Sequence, residues 1–498
     1  MTTNKLATTE PTGISWGGKK IVLPEDPKHM TIDAAMTTLA KAKAELEQMV
    51  SVKRRYQGYF PLDVAHAFWK VAQEQFGFVF QKTEMGMFGQ KILPSMVEFQ
   101  TGPFTTEQAP FGSIELPGIT GKFIIELAGA AEPVLEINAQ IQQAFKKSVT
   151  QLLDLVEEYL EKKSIYRGRA IGVNLEWVEL VRTGQRPFDP VNDAPKFVDT
   201  SKTKLADLIF DKDVHDSLDI ALFTPISHAD AMRSEGIPLK RGILLHGPYG
   251  CGKTLTATAT AKLCEQNGWT FMYLQNVMNI AEALRYAKKY APCVVFAEDL
   301  DAIVGTDERT AQVNAVLNTI DGMDFKTSEV ITILTTNDLE KINPAMLRPG
   351  RLDAVVPIMP PKKEAVVRLI RSYAGASLER ETSVDHAAEI LSGQIPAVIA
   401  EAVHRARIAA VQRTKGESEI TLSSEDLVRA ANSMALQVKS CNRANRDPFT
   451  PERLAGVVGL GMANALVRIA RTVRENGGNV NISDSDESFV TQSIAAIY

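Results

Sequence analysis

The sequence predicts an α/β protein centred on a parallel sheet. Three observations predict it. Residues Gly247-Pro248-Tyr249-Gly250-Cys251-Gly252-Lys253-Thr254 fit Gly-x-x-x-x-Gly-Lys-[Ser/Thr], the phosphate-binding P-loop. They lie between a short aliphatic run, Gly242–His246, and an Ala- and Thr-rich stretch without Gly or Pro, Leu255–Glu265, which read as a buried parallel strand and a helix. Two further strand-like runs, the apolar Cys293–Ala297 and the β-branched Val330–Thr336, lead into polar residues, as strands do at the edge of a parallel sheet that holds a ligand.

The 498 residues suffice for two to four domains. Composition is that of a globular protein, 45% apolar and 23% charged. With 55 basic and 60 acidic residues the net charge is −5, and no basic excess points to nucleic acid. The four cysteines have no metal-ligand spacing, which predicts reduced thiols and a cytoplasmic setting. No stretch of 18 apolar residues occurs, so no membrane span is expected.

From the N-terminus, Met1–Gly18 reads as a tail. Thr31–Tyr56 has apolar residues at helical spacing and reads as one amphipathic helix; Phe60 opens a second, to Phe76. Met96–Ile125, punctuated by Gly and Pro, reads as a small β-rich module. Pro133–Lys163 reads as one long helix with Leu135, Ile137, Ile141, Phe145, Val149, Leu152, Val156 and Leu160 on one side. Tyr166–Val173 reads as a strand whose Arg167 and Arg169 sit on an exposed face, and Gln185–Lys204, with three prolines, as a linker.

At the P-loop the glycines let backbone N–H groups converge on phosphate, and the helix N-terminus adds partial positive charge. Lys253 is placed to reach the β- and γ-phosphates of ATP, Thr254 to ligate Mg²⁺, and Leu255 continues the nucleotide contact. Past Cys293–Ala297 stand Glu298 and Asp299; in register Glu298 supports Mg²⁺ and Asp299 polarises water, with Asp301 nearby. Asn337 ends the next run and suits the lytic water.

These motifs, with Asn343-Pro344-Ala345-Met346-Leu347-Arg348-Pro349-Gly350-Arg351-Leu352-Asp353 downstream, resemble the AAA clade of the AAA+ ATPases over about residues 205–440. The resemblance implies that Asn337 is the sensor of the γ-phosphate. It implies that Arg348 and Arg351 are arginine fingers serving a neighbouring subunit, and hence a homo-oligomeric ring, usually a hexamer. Asp207 and Ile209 fall at its adenine-binding turn, where the two family glycines are replaced. Asp321-Gly322-Met323 resembles its inter-subunit segment. Pro360-Pro361 opens its helical lid, in which Tyr373 and Ala397 fall near the nucleotide.

Threading members of that clade carry a gripping pore loop after the second strand. Here that strand, Trp269–Leu274, is followed by only Gln275-Asn276-Val277-Met278 before a helix beginning near Asn279. Gly305–Thr310 is short as well, and the carboxylates run Glu-Asp where the clade has Asp-Glu. These departures are similar to the mitochondrial translocase of the folded Rieske protein.

The expected organisation is an N-terminal α+β client or regulatory domain with linker (1–200), a nucleotide-binding subdomain (201–360), a helical lid (361–440) and a helical C-terminal extension (441–498) with a helix over Leu454–Glu475. The expected function is ATP-driven remodelling of a protein client held by the N-terminal domain, without deep threading. The rivals are a nucleic-acid-associated motor or loader, and a nucleotide-gated scaffold with slow turnover.

Overall fold

The structure, a computed structural model, describes residues 31–78, 95–129, 133–300, 328–342, 344–348, 351–378, 381–414 and 421–444, and short strands at 13–16, 19–22, 80–81, 84–85 and 91–92. Asp301, 305–310, Asp321-Gly322-Met323, Asn343, Pro349-Gly350 and Leu454–Glu475 lie outside the described residues. The chain divides into two compact units: residues 1–368 with 393–397, and 369–392 with 398–498.

Among the described residues the first unit holds two large sheets, besides two-stranded pairs at 13–16 with 19–22 and 84–85 with 91–92. One is antiparallel: β1 (Met49–Arg55), β2 (Ser95–Gly102), β3 (Thr105–Glu115), β4 (Gly121–Ala128) and β5 (Val134–Gln142), ordered β1-β5-β4-β3, with β2 and Phe80–Gln81 also on β3. Two helices, α2 (Pro61–Phe76) and α3 (Lys146–Lys163), share its core through Val64, Phe68, Val149 and Leu153 against Phe123, Leu135, Ile137 and Ile141. A further helix, α1 (Ile32–Glu47), precedes β1 and buries only Leu46.

Two expectations are corrected here. Thr31–Tyr56 is a helix only to Glu47 and then a strand, and Pro133–Lys163 is the strand β5 followed by α3. In β5 the residues Leu135, Ile137, Ala139 and Ile141 alternate inward, the period of two that a strand requires. The β-rich module over 96–125 is present as β2, β3 and β4.

The second sheet is the one that leads into the P-loop. Its strands are β6 (Ala170–Val173), β7 (Lys196–Phe197), β8 (Arg241–His246), β9 (Thr270–Leu274), β10 (Cys293–Ala297), β11 (Val330–Thr336) and β12 (Ala354–Pro357), in the order β7-β6-β9-β10-β11-β8-β12. All neighbours are parallel except β7 and β6. The aliphatic runs are buried on both faces, as in α/β sheets generally: every residue of β10 and β11 is buried. This sheet begins upstream of residue 201: β6 comes from the run expected to be an exposed strand, and β7 from the run expected to be linker. Arg167 lies beside it and caps the end of α5 (Ile280–Lys289), donating to the carbonyls of Ala291 at 2.6 Å and Lys289 at 2.5 Å.

A buried polar knot ties α2 to the end of α5. Asp63 is fully buried and accepts from Ser164 Oγ (2.6 Å), Ile165 N (3.1 Å) and Tyr290 Oη (2.9 Å). Tyr290 Oη in turn accepts from Phe60 N at 2.9 Å. The Phe60 ring lies flat on Tyr286, 4.5 Å between centroids, and beside Tyr290 at 5.3 Å.

The second unit is helical, with α7 (Asp385–Leu391) and α9 (Ser424–Ala444), and most of α8 (Pro396–Thr414). The helix α6 (Lys363–Ala374) runs into it. Arg407 donates to the carbonyls of Tyr373 and Ala374, and Arg413 pairs with Asp426 at 2.9 Å. Among the described residues no helix is long and apolar enough to cross a membrane.

Candidate functional site: a P-loop and two carboxylates

The register aligns the ends of β8, β11, β10 and β9. His246 pairs with Thr336, Ala297 with Leu334, and Leu274 with Ala297. Gly247, Asn337, Glu298 and Gln275 therefore leave the sheet along one edge, where a doubly wound sheet binds its ligand.

At that edge the loop from Gly247 to Gly252 leads into α4 (Lys253–Gln266). Gly247, Gly250 and Gly252 have φ of 153°, 76° and 108°. A Cβ on Gly247 would meet Ile358 O at 2.0 Å, so only glycine fits there. Pro248 and Tyr249 are exposed and Cys251 is buried; Thr254 and Leu255 open the helix on its exposed side. Gly252 approaches the ring of Phe210, whose Cε1 lies 3.2 Å from where its Cβ would stand.

The Lys253 amine is directed back into the loop. It donates to Gly247 O (2.6 Å), Pro248 O (3.0 Å) and Asn337 Oδ1 (2.8 Å), and stands 5.8 Å from the centre of the Tyr249 ring. At the base of the loop, burial and then the Lys253 charge hold His246 below its usual pKa.

The two carboxylates diverge. Glu298 accepts from the Thr254 hydroxyl on one oxygen and from Tyr273 Oη, at 2.7 Å, on the other. Asp299 adopts φ of 56°, the left-handed region that Asp tolerates among non-glycine residues. Its N–H donates to Thr335 Oγ1 at 3.1 Å, and its carboxylate accepts from Asn337 Nδ2 at 2.9 Å. The turn thus hands Glu298 to the β9 side and Asp299 to the β11 side. Asn337 links Asp299 to Lys253.

Arg348 and Arg351 lie elsewhere on the sheet. A 3₁₀ turn, Pro344–Leu347, precedes them, and Leu352 N donates to Met346 O at 3.1 Å; Met346 and Leu352 are buried. Arg348 is exposed. A Cβ on Gly242 would lie 1.7 Å from Arg351 O, so this segment crosses β8 at its first residues, opposite the P-loop end.

The remaining expected contacts are placed as follows. The Asp207 carboxylate accepts from Lys204 N at 3.2 Å, capping its own turn, and Ile209 is half-buried next to Phe210. Ala397 is exposed in the first turn of α8. Tyr373 belongs to the second unit, half-buried, its phenol raised in pKa by burial. Between β9 and α5 the short connection is a pinned turn. Asn276 caps it by accepting from Met278 N at 3.0 Å and donates to Glu176 at 2.9 Å, and Val277 is buried. Tyr273 had no motif to mark it; the signal available was its place next to the end of β9, level with Phe296.

The ATPase family associated with various cellular activities (AAA) matches residues 243–359. Curated relatives include the ATP-dependent zinc metalloprotease FtsH 2 of Symbiobacterium thermophilum, 32% identical over 220 residues, or 40% of this chain and 37% of that protein. Another is nuclear valosin-containing protein-like of Mus musculus, 34% identical over 191 residues, or 35% of this chain and 22% of that protein. The chain thus spans well under half the length of either relative; the family match over residues 243–359 takes in the P-loop and the two carboxylates. Over residues 243–359, which hold the glycine cradle, Lys253, Asn337 and the two carboxylates on a parallel sheet, the chain carries an AAA ATPase domain.

Proposed function

We propose that this chain hydrolyses ATP as one subunit of a homo-oligomeric ring and uses the cycle to remodel a protein client. The observation that carries the reading is the separation of Arg348 and Arg351 from their own P-loop. The arginines and the P-loop belong to opposite ends of β8, and the five residue steps from Gly242 to Gly247 span about 16 Å. An arginine that cannot serve its own site is suited to serve a neighbour's, where it stabilises charge developing on the transferred phosphoryl group.

The chain's own groups have clear roles in such a reaction. The loop N–H groups and Lys253 bind phosphate oxygens, Lys253 exchanging its carbonyl partners for them. Thr254 and Glu298 are hard oxygen donors within hydrogen-bond reach of each other, a donor set that fits Mg²⁺. The bound ion would neutralise charge on the phosphates. Asp299 takes the proton of the attacking water, and Asn337, bonded to it at 2.9 Å, orients that water.

The same reading has the client handled outside the channel. A turn of which Val277 is buried and Asn276 bonded at both ends is poorly suited to reach and grip an extended chain. The Phe60–Asp63–Tyr290 knot gives the N-terminal part a direct attachment to the helix that feeds β10 and its carboxylates. Steady-state phosphate release from wild type, Lys253→Ala and Asp299→Asn tests the activity. Wild-type turnover no faster than that of Lys253→Ala would sink it and leave a nucleotide-gated scaffold.

A further inference from the structure

Tyr273 has no part in the P-loop, sits on a different strand, and yet is bonded to Glu298. Its position is fixed on two sides. The residue lies in β9, level with Phe296 of β10, and its ring is nearly parallel to that of Phe296, 13° between planes and 6.0 Å between centroids. From there the hydroxyl reaches beyond the strand end and donates to Glu298 Oε2 at 2.7 Å. The other oxygen of the same carboxylate, Oε1, faces the Thr254 hydroxyl.

The arrangement answers a geometric need. Glutamate has three side-chain torsions, and its last is broad rather than confined to sharp wells. Glu298 also follows directly after the last residue of β10. Left alone, its carboxylate would sample many orientations about the Thr254 hydroxyl. A phenol clamped by ring packing and bonded to one oxygen removes that freedom and presents the other oxygen to Thr254. Outer partners of this kind orient ligating carboxylates and commonly govern metal affinity ten- to a hundredfold.

We propose that Tyr273 is a positioning residue for the divalent-cation end of the nucleotide site: its hydroxyl fixes Glu298 so that Oε1 and Thr254 Oγ1 together receive Mg²⁺ delivered with the nucleotide. The inference rests on the ATP-binding reading of the site. Tyr273 touches neither nucleotide nor water in this scheme and acts through Glu298 alone.

The experiment is a Mg²⁺ titration of a fluorescent ATP analogue binding to the full chain, with phosphate release followed in parallel. Tyr273→Phe keeps the ring and removes one oxygen. It should raise the Mg²⁺ concentration for half-maximal binding about tenfold or more, leave affinity for the analogue in EDTA unchanged, and lower turnover at limiting Mg²⁺ with recovery at saturating Mg²⁺. Tyr273→Leu, which also removes the ring, separates packing from positioning. If Tyr273→Phe has the wild-type Mg²⁺ profile and only Tyr273→Leu loses thermal stability, the residue is a packing element and the inference is wrong. A wild type that binds no analogue at any Mg²⁺ concentration defeats the nucleotide-site reading itself, an outcome distinct from normal Mg²⁺ dependence that ignores the phenol.

Discussion

Replacing Tyr290 by Phe removes one oxygen from the centre of the first unit and should have a large, pH-dependent effect. That oxygen does two things: it donates to the buried carboxylate of Asp63 at 2.9 Å and accepts the N–H of Phe60 at 2.9 Å. A bond to a charged group contributes about 1.5–3 kcal/mol, and a buried N–H left without a partner costs about 1–3 kcal/mol. The substitution should therefore destabilise the unit by roughly 3–5 kcal/mol at pH 8. Burial, outweighing the bonds from Ser164, Ile165 and Tyr290, raises the Asp63 pKa from 3.8 to about 6. A folded-state value above the unfolded one means that stability from this group is fully present below 3.8 and is lost as pH rises through about 6. The full rise amounts to about 3 kcal/mol. In Tyr290→Phe one of the bonds favouring the ionised form is gone, so the pKa should climb further and the mutant should suffer most above pH 6. At pH 5 the carboxyl is neutral and the deficit should shrink by about 1–2 kcal/mol. Urea unfolding at pH 5 and pH 8, followed through the buried indoles of Trp177 and Trp269, measures both numbers. An equal deficit at the two pH values, or a deficit under about 1 kcal/mol at pH 8, would refute the account of the knot.

Other outcomes follow from the site. Lys253→Ala removes an amine with three acceptors, and ATP affinity by calorimetry should fall at least about a hundredfold while the circular dichroism spectrum is kept. Asp299→Asn should bind ATP normally and lose turnover by about 10²–10⁴-fold; Glu298→Gln should instead weaken Mg²⁺-dependent binding, and the reverse pattern would exchange the two roles. Mixing Lys253→Ala with Arg351→Ala subunits should restore part of the ATPase rate if the arginine acts across an interface, and mixed rings with no activity at any ratio would rule that out. Val277→Ala, at a buried site, should lower stability by about 1–2 kcal/mol without altering the turnover of the folded protein, as thermal melts and steady-state rates would show.

The nucleotide sheet was legible because its strands announce themselves. Cys293–Ala297 is apolar throughout, Val330–Thr336 is mostly β-branched, each is followed by a polar residue, and they coincide with β10 and β11. The P-loop needs glycine at Gly247, where a side chain would collide with Ile358 O, so a local constraint left a readable mark. The turn between β5 and α3 left none. Gln142 and Gln143 carry no Gly or Pro, and the inward residues of the strand, from Leu135 to Ile141, run on into those of α3 without a break in apolar spacing. Tyr273, Tyr290 and Asp63 were invisible for a different reason. Each matters through a partner distant in sequence, Asp63 and Tyr290 by 227 positions, and nothing in the neighbouring residues signals such a pairing.

Because β6 and β7 are drawn from residues before 200, the ATPase sheet cannot be cut free at that point without injury. Removing residues 1–200 would strip β6 from β9 along the whole run from Phe271 to Leu274. It would leave the main-chain groups of a strand with buried Phe271, Met272 and Leu274 open to any passing chain. Bare, flat, apolar edges of this kind recruit further strands and aggregate. An isolated ATPase fragment should begin upstream of Ala170, and insolubility of a shorter one would report an exposed seam, whatever the missing part does for a client.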